Sequence, residues 1–154
     1  MMRQLVCPAC GATNRAPEDK NALAAKCGRC GERLFGGVPT EVSGAQLAAH
    51  AGKTRGVAVL VDVWAPWCGP CRSMAPQFAA AAARLEPDVR LLKLNSEAEP
   101  QAAGALGVSG IPALLLYRDG AVIARSAGLM STAQIVAWTH QALAQANASA
   151  ARGD

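Results

Sequence analysis

The chain of 154 residues has no apolar run long enough to span a membrane. Its most hydrophobic stretch, Val57 to Val63, is interrupted by Asp62, whereas a membrane helix needs about 18 or more consecutive apolar residues. The first residues also lack the apolar core of a secretory signal and reach two cysteines almost at once. We therefore expect no association with a membrane and a cytoplasmic location.

Clustered positive charge and aromatic side chains are scarce as well. The formal net charge is +4, but Lys and Arg are scattered and form no continuous run. Nucleic-acid-binding modules combine basic and aromatic groups on one surface. In the N-terminal part, Phe35 is the single aromatic residue near the basic side chains, which are Arg3, Arg15, Lys20, Lys26, Arg29 and Arg33. We therefore expect no nucleic-acid partner.

Cysteine is plentiful by contrast, and its six residues form three Cys-x-x-Cys pairs. The first two pairs lie among Gly, Arg, Asn, Lys and Pro, whereas the third follows an apolar, strand-like run. This change in composition predicts a boundary near Gly36 and Gly37. We expect a small module over 1–36, a larger domain over 37–147 and a flexible tail over 148–154.

Hydrophobic patterning of the larger domain predicts alternating strands and helices. Val57 to Trp64 is rich in β-branched residues and is typical of a buried central strand. Further strands are predicted at 90–94, 113–117 and 121–127, and helices at 43–51, 71–85 (bent at Pro76), 99–106 and from Ser131 onward. The pattern indicates an α/β fold in three layers with a mixed sheet.

Cys68 and Cys71 lie where the predicted central strand ends and a helix begins. The N–H groups at a helix N-terminus favour a thiolate, and the thiolate is the nucleophile in disulfide exchange. We therefore expect Cys68 to attack first and Cys71, inside the first turn, to act second. The same spacing suits half of a metal site, but no further pair remains to complete four ligands once the N-terminal cysteines are used.

The segment from Trp64 to Cys71, WAPWCGPC, resembles the active-site segment of the thioredoxin family. Asp62, Pro76, Lys93, Ile111-Pro112 and Gly128 follow in the order and spacing of that family, over about Val38 to Ala146. Val63 departs from it, since many members carry Phe there. With its N-terminal cysteines, the chain resembles the zinc-binding branch, thioredoxin-2.

The resemblance implies a thioredoxin fold, with a central mixed sheet flanked by helices and a small zinc-ribbon module. It also implies a monomeric protein-disulfide reductase that cycles between the dithiol and disulfide forms of Cys68 and Cys71. Client proteins with disulfides and an NADPH-dependent thioredoxin reductase are the implied partners. No organic cofactor is expected.

Asp62 interrupts an apolar strand, so it is either an edge residue or a buried carboxyl group that has a function. Desolvation raises the pKa of a buried carboxyl group, which enables it to accept a proton from Cys71. Lys93, on a neighbouring strand, is a candidate ion-pair partner for Asp62, and an ordinary solvated position is the alternative.

Pro112 either starts a strand or, as the resemblance implies, follows a cis peptide bond against the active-site sulfurs. The backbone of Ile111 is then expected to pair with an extended substrate chain. Trp67, beside the nucleophile, is expected to flank an apolar docking surface. The predicted substrate-binding residues are Trp67, Gly69, Pro70, Ile111, Pro112 and Gly128.

The spacing Cys7-x-x-Cys10, sixteen residues, Cys27-x-x-Cys30 is typical of a zinc ribbon with four cysteine ligands. Four thiolates favour Zn²⁺, and about 35 residues with so few apolar side chains need a metal to fold. We expect one structural Zn²⁺ with no open coordination position.

Glycines follow each of these pairs, at Gly11 and Gly31, where the turns of zinc knuckles need them. Two structural disulfides are the alternative, which a reducing cytosol disfavours. A redox switch that ejects zinc on oxidation is a third option. His50 and His140 lie on predicted helices without a cysteine nearby, and we interpret both as surface or hydrogen-bonded residues.

Overall fold

The computed structural model describes residues 2–151 and contains two sheets. A small antiparallel sheet precedes a five-stranded mixed sheet with strand order β3-β5-β4-β6-β7. In chain order, the elements are β1 (Met2–Val6), β2 (Thr13–Pro17), β3 (Thr40–Glu41), α1 (Gly44–Lys53), β4 (Ala58–Trp64), α2 (Gly69–Leu85), β5 (Val89–Asn95), α3 (Pro100–Ala105), β6 (Ala113–Arg118), β7 (Ala121–Ala127) and α4 (Thr132–Ala151).

β4 is the central strand, as its continuous hydrophobicity predicts. It pairs in parallel with β5 and antiparallel with β6. Alternate side chains enter two separate cores, since Leu60 packs with Met74 and Phe78 of α2, whereas Val61 and Val63 pack on the side of α1. The larger domain therefore has helices on both faces of a mixed sheet, which confirms the predicted fold class.

Helix starts follow from their capping residues. Ser43 accepts a hydrogen bond from the Gln46 N–H at 3.1 Å, and the Gln46 side chain accepts one from the Ser43 N–H. Ser131 and Gln134 form the same reciprocal pair ahead of α4. These two caps confirm the helix starts predicted at both serines.

Helix α4 continues farther than predicted. Residues 148–151, assigned to a flexible tail, belong to the helix, because the Ala-rich sequence there has high helix propensity. The rest of the predicted tail, residues 152–154, lies outside the described residues. Among the helices of residues 2–151, none is both long and apolar enough to cross a membrane.

The N-terminal module packs against the larger domain. Its core contains Leu5, Leu34 and Phe35, and Val57, next to the start of β4, joins the same cluster. β1 also forms a backbone bridge across the boundary, since Gln4 and Arg55 exchange N–H···O hydrogen bonds of 2.9 and 2.8 Å. The module is thus held by both apolar and backbone contacts.

Arg90 on β5 is the largest fully buried side chain at this interface. Its guanidinium donates a hydrogen bond to the Leu34 carbonyl oxygen and lies 4.6 Å from the centre of the Phe35 ring. Glu86 lies 3.9 Å from Arg90 and accepts a hydrogen bond of 2.7 Å from the Gly37 N–H. The charged pair therefore joins the linker region to the end of α2.

Candidate active site and metal centre

Cys68 and Cys71 lie where β4 gives way to α2 and are joined by a disulfide. Cys68 is the N-cap residue of α2, and its sulfur accepts a hydrogen bond from the Cys71 N–H at 3.2 Å. The sulfur of Cys68 therefore occupies the helix N-terminus, where N–H groups stabilise negative charge. Cys71 is the more buried residue, as predicted, with 2% exposure against 6% for Cys68.

The loop before β6 lies opposite this pair. The Ile111–Pro112 peptide bond is cis, as expected, and the Ile111 carbonyl oxygen lies 3.9 Å from Cys68 Sγ. The Gly128 N–H donates a hydrogen bond of 2.8 Å to the Pro112 carbonyl oxygen, which ties this loop to the end of β7.

Trp67 is 66% exposed, so it is a surface residue rather than a core aromatic. Gly69 and Pro70 are exposed beside it, as is Gly128 across the site. Ile111 is half-buried and Pro112 is buried. An exposed aromatic next to a sulfur, with a backbone carbonyl opposite, is suited to hold an extended chain that carries a disulfide.

Asp62 is fully buried on β4, so it is not an edge residue. Within residues 2–151, neither carboxylate oxygen has a hydrogen-bond partner. Burial raises the pKa of Asp62 to about 7, with Lys93 lowering it and Glu41 raising it. Leu60 packs with Met74 and Phe78 of α2, and Asp62 lies two positions later on the same face of β4. Asp62 is therefore on the α2 side of the sheet, nearer to the end of β4 after which Cys68 and Cys71 follow.

Lys93 makes a different contact from the one predicted. In the described part of the chain, no ion pair joins it to Asp62. Its ammonium nitrogen lies 4.7 Å from the centre of the Trp64 ring, a cation–π contact on a half-buried side chain. Lys93 therefore acts on Asp62 through its charge alone.

Glu41 contacts the site through Trp64, and the sequence did not indicate this contact. Its carboxylate accepts a hydrogen bond from Trp64 Nε1, with N–O distances of 3.1 and 3.3 Å. It lies on β3, which has two residues and therefore leaves no periodic pattern in the sequence. The one available signal is an acidic residue shortly before the Ser43 helix cap.

The four N-terminal cysteines converge into one cluster, with all four sulfurs within 4.8 Å of one another. The Cys7–Cys30 and Cys10–Cys27 sulfur distances are both 3.6 Å. Sulfurs bound to one zinc at about 2.3 Å are separated by roughly 3.8 Å in a tetrahedron. The cysteines are free of disulfides, and their separations fit a tetrahedral site for a thiophilic metal.

The two halves of this cluster have the same backbone geometry. Gly11 and Gly31 have φ values of +81° and +80°, and their N–H groups bond to the Cys7 and Cys27 carbonyl oxygens at 3.0 and 2.9 Å. This confirms the predicted need for glycine after each pair. Asn14, which was not predicted, donates to Cys27 Sγ at 3.3 Å and accepts from the Gly28 N–H at 2.9 Å.

His50 differs from its predicted surface or hydrogen-bonded position. It is 3% exposed, and its Nδ1 atom has no hydrogen-bond partner among the described residues. It lines a cleft between α1 and the loop that carries Cys7 and Cys10. The docked module buries this histidine, and the helical pattern of α1 alone contains no sign of that contact. His140 is exposed, as expected.

Two family models match the chain, and both coincide with the sites described above. A model described as Thioredoxin matches residues 46–141, which include the disulfide and Asp62. A model described as Thioredoxin 2, N-terminal, matches residues 6–32, which include all four clustered cysteines.

Individual relatives agree with these matches. Thioredoxin C-3 of Corynebacterium nephridii is 38% identical over 141 residues, covering 92% of this chain and 96% of that protein. A thioredoxin of Chlamydia muridarum is 47% identical over 78 residues, which cover 51% of this chain and 76% of that protein.

Solved structures with the same fold match the larger domain. A crystal structure of chloroplastic thioredoxin z has a TM-score of 0.61 and 28% identity, covering 70% of this chain and 96% of that one. A thioredoxin variant from Halobacterium salinarum has a TM-score of 0.60 and 28% identity, with coverages of 68% and 89%.

Proposed function

The chain belongs to the thioredoxin family and acts by thiol–disulfide exchange, and on that premise we propose that Cys68 is the attacking cysteine and Cys71 the resolving one. The observation that carries this assignment is the Cys68 sulfur at the N-terminus of α2, where it accepts the Cys71 N–H. Cys71 lies deeper in the same turn, so a bulky client disulfide reaches Cys68 first.

The proposed cycle transfers two electrons from the dithiol to a client disulfide. The Cys68 thiolate attacks one client sulfur, forms a mixed disulfide and releases the other client sulfur as a thiolate. Cys71 then loses its proton and attacks Cys68 Sγ. The Cys68–Cys71 disulfide forms, and the second client sulfur leaves as a thiolate that takes up a proton.

Asp62 is the proposed acceptor of the Cys71 proton. A carboxylate whose pKa is raised to about 7 by burial is poised to accept a proton near neutral pH. Neither of its oxygens has another hydrogen-bond partner within residues 2–151, so both are free to bind a proton. In this scheme, the positive charge of Lys93 lowers the pKa of the Asp62 carboxyl group.

We assign substrate binding to the surface around Cys68. The Ile111 backbone, beside cis-Pro112, pairs with an extended client segment, and Trp67 contacts its apolar side chains. Small exposed residues, Gly69, Pro70 and Gly128, allow a client backbone to approach the sulfur closely.

The N-terminal module, residues 1–36, is proposed to hold one structural Zn²⁺ through Cys7, Cys10, Cys27 and Cys30. The sulfur separations and the N–H groups donated to the sulfurs of Cys7 and Cys27 support this assignment. Zinc bound there would neutralise thiolate charge and fix the two knuckles, and four protein ligands would leave no position for catalysis.

The location, oligomeric state and partners of the protein are also proposals. We propose a cytoplasmic monomer that is recharged by an NADPH-dependent thioredoxin reductase and reduces client proteins. The four N-terminal cysteines are free of disulfides, which favours a reducing compartment. Scattered basic residues support the absence of a nucleic-acid partner.

An NADPH-coupled assay with thioredoxin reductase and a protein disulfide tests this function. We expect the wild type to reduce the protein disulfide, and the same sample to contain about one zinc per chain. Cys68→Ser should show no turnover. Failure of the fully reduced, zinc-loaded wild type to reduce the protein disulfide would contradict the proposal.

A further inference from the structure

Three charged residues lie side by side across neighbouring strands near the active site. Glu41 of β3 pairs with Lys93 of β5, and Lys93 pairs with Asp62 of β4. Because side chains at paired positions point to the same face of a sheet, these three form a row, which we term the charged row. Its inner end is the buried carboxylate, and its outer end is the exposed Glu41.

Trp64 connects the charged row to the sulfurs. It follows Asp62 by two positions and shares its face of the sheet, and it packs against the cluster of Ala65, Cys68 and Cys71. Glu41 accepts the Trp64 Nε1–H, and Lys93 lies over the ring of the same indole. Glu41 thus holds the edge of the indole, and Lys93 contacts its face.

We propose that Glu41 is a positioning residue for disulfide exchange, because its carboxylate both holds the Trp64 indole beside the cysteine pair and acts by its charge on Asp62. The inference deepens the proposed function, since it rests on Asp62 taking the Cys71 proton. Glu41 itself touches neither the client nor the reacting sulfurs in this scheme.

The charges that face Asp62 determine the direction of the effect. The charges that act on Asp62 are those of Lys93 on β5 and Glu41 on β3, whereas β6 places the apolar Leu114 beside it. A nearby negative charge opposes ionisation, so Glu41 raises the pKa of Asp62 and Lys93 lowers it. Loss of the Glu41 charge therefore shifts the ionisation of Asp62 to lower pH.

Two substitutions separate the charge of Glu41 from its hydrogen bond. Glu41→Gln removes the charge but keeps an oxygen that can accept the Trp64 N–H, whereas Glu41→Ala removes both. Glu97→Gln, at an exposed position on the loop after β5, is the matched control because it also removes one negative charge. All variants are used as full-length, zinc-loaded proteins.

The measurement is the single-turnover rate of mixed-disulfide resolution between about pH 5 and pH 9, with the Trp64 indole N–H resonance followed by NMR. We expect the midpoint of the pH profile to move down by about half a pH unit or more in Glu41→Gln and Glu41→Ala. The indole resonance should stay near its wild-type position in Glu41→Gln and move in Glu41→Ala.

The outcomes distinguish this inference from the function on which it rests. If Asp62→Asn leaves the wild-type pH profile unchanged, Asp62 is not the base and the proposed role of that residue fails. If Asp62→Asn abolishes the transition but the profile of Glu41→Gln overlays that of Glu97→Gln, Glu41 has no such role. An indole resonance unchanged in Glu41→Ala would contradict the hydrogen bond itself.

Discussion

Burial of Asp62 carries a stability cost, which accompanies its proposed role as the proton acceptor. Its carboxyl group is buried without a hydrogen-bond partner in the described part of the chain, and its pKa rises from an ordinary 3.8 to about 7. Because ionisation of Asp62 costs more free energy in the folded state than in the unfolded state, the charged carboxylate lowers the free energy of unfolding. The penalty is absent below about pH 4, grows as the pH rises and levels off above the folded pKa.

Replacing Asp62 with Asn or Ala should therefore stabilise the protein. A pKa difference of one corresponds to about 1.4 kcal/mol, so we expect a gain of about 2 to 4 kcal/mol at pH 8 and little gain at pH 4. The same variants should resolve mixed disulfides more slowly near and below neutral pH. Denaturant unfolding and single-turnover reduction across pH measure the two effects.

The opposite directions of these effects make the prediction specific. A variant that was less stable than the wild type and equally fast at every pH would show that Asp62 is an ordinary structural residue. The sequence indicated that Asp62 was unusual because a carboxylate interrupts an apolar strand. It could not indicate Glu41, because two-residue β3 carries no periodic signal and the contact to Trp64 spans 23 positions.

Among the elements, the two cysteine knuckles are the part most fully specified by local sequence. The spacing predicted which four cysteines cluster, and the positive φ values at Gly11 and Gly31 follow from turns that favour glycine. The flanking β1–β2 hairpin was not predicted, since its strands are short and polar residues interrupt them. The contact of Asn14 with Cys27 also depends on that hairpin.

Replacing Cys7 or Cys27 with Ser should release the metal without abolishing disulfide reduction. Both sulfurs are buried and accept backbone N–H groups, so their loss removes a ligand and exposes unpaired donors. Cys68 and Cys71 are positioned by β4 and α2, which lie outside the module. Metal analysis and turnover, measured on the same anaerobic sample, check both parts.

Two results would contradict this account of the module. One is zinc-free wild-type protein after anaerobic preparation, and the other is zinc retained at full stoichiometry by the Cys7 or Cys27 variant. Zinc-free protein would favour disulfides among these cysteines, whereas retained zinc would show that the replaced cysteine is not a required ligand.

At the scale of the whole molecule, the module and the larger domain are joined by buried contacts. Arg90 and Phe35 stack across the boundary, and Val57 belongs to the core of the module. The sequence predicted the boundary near Gly37 from composition, but not this interface. The Arg90–Leu34 hydrogen bond links positions 56 apart. The hydrophobic pattern of β5 predicts a strand but does not indicate what the Arg90 side chain contacts.

Removal of the metal should therefore destabilise the entire chain. All three tryptophans, Trp64, Trp67 and Trp138, lie in the larger domain, so their fluorescence reports its unfolding. We expect chelation to lower the fluorescence-detected Tm by about 5 °C or more, because a loss of about 1 to 2 kcal/mol has that effect at this size. Re-addition of zinc should restore the Tm, whereas an unchanged Tm in verified metal-free protein would show that the two parts unfold independently.

The order of attack by the two active-site cysteines is the central claim, and trapping the mixed disulfide tests it most directly. Cys71→Ser and Cys68→Ser proteins are each incubated with a disulfide-bonded client, and the adducts are located by peptide mass spectrometry. We predict that Cys71→Ser accumulates a client adduct on Cys68, because attack occurs but resolution cannot, and that Cys68→Ser accumulates none. An adduct on Cys71 in the Cys68→Ser protein, with none in Cys71→Ser, would reverse the assigned roles and contradict the account.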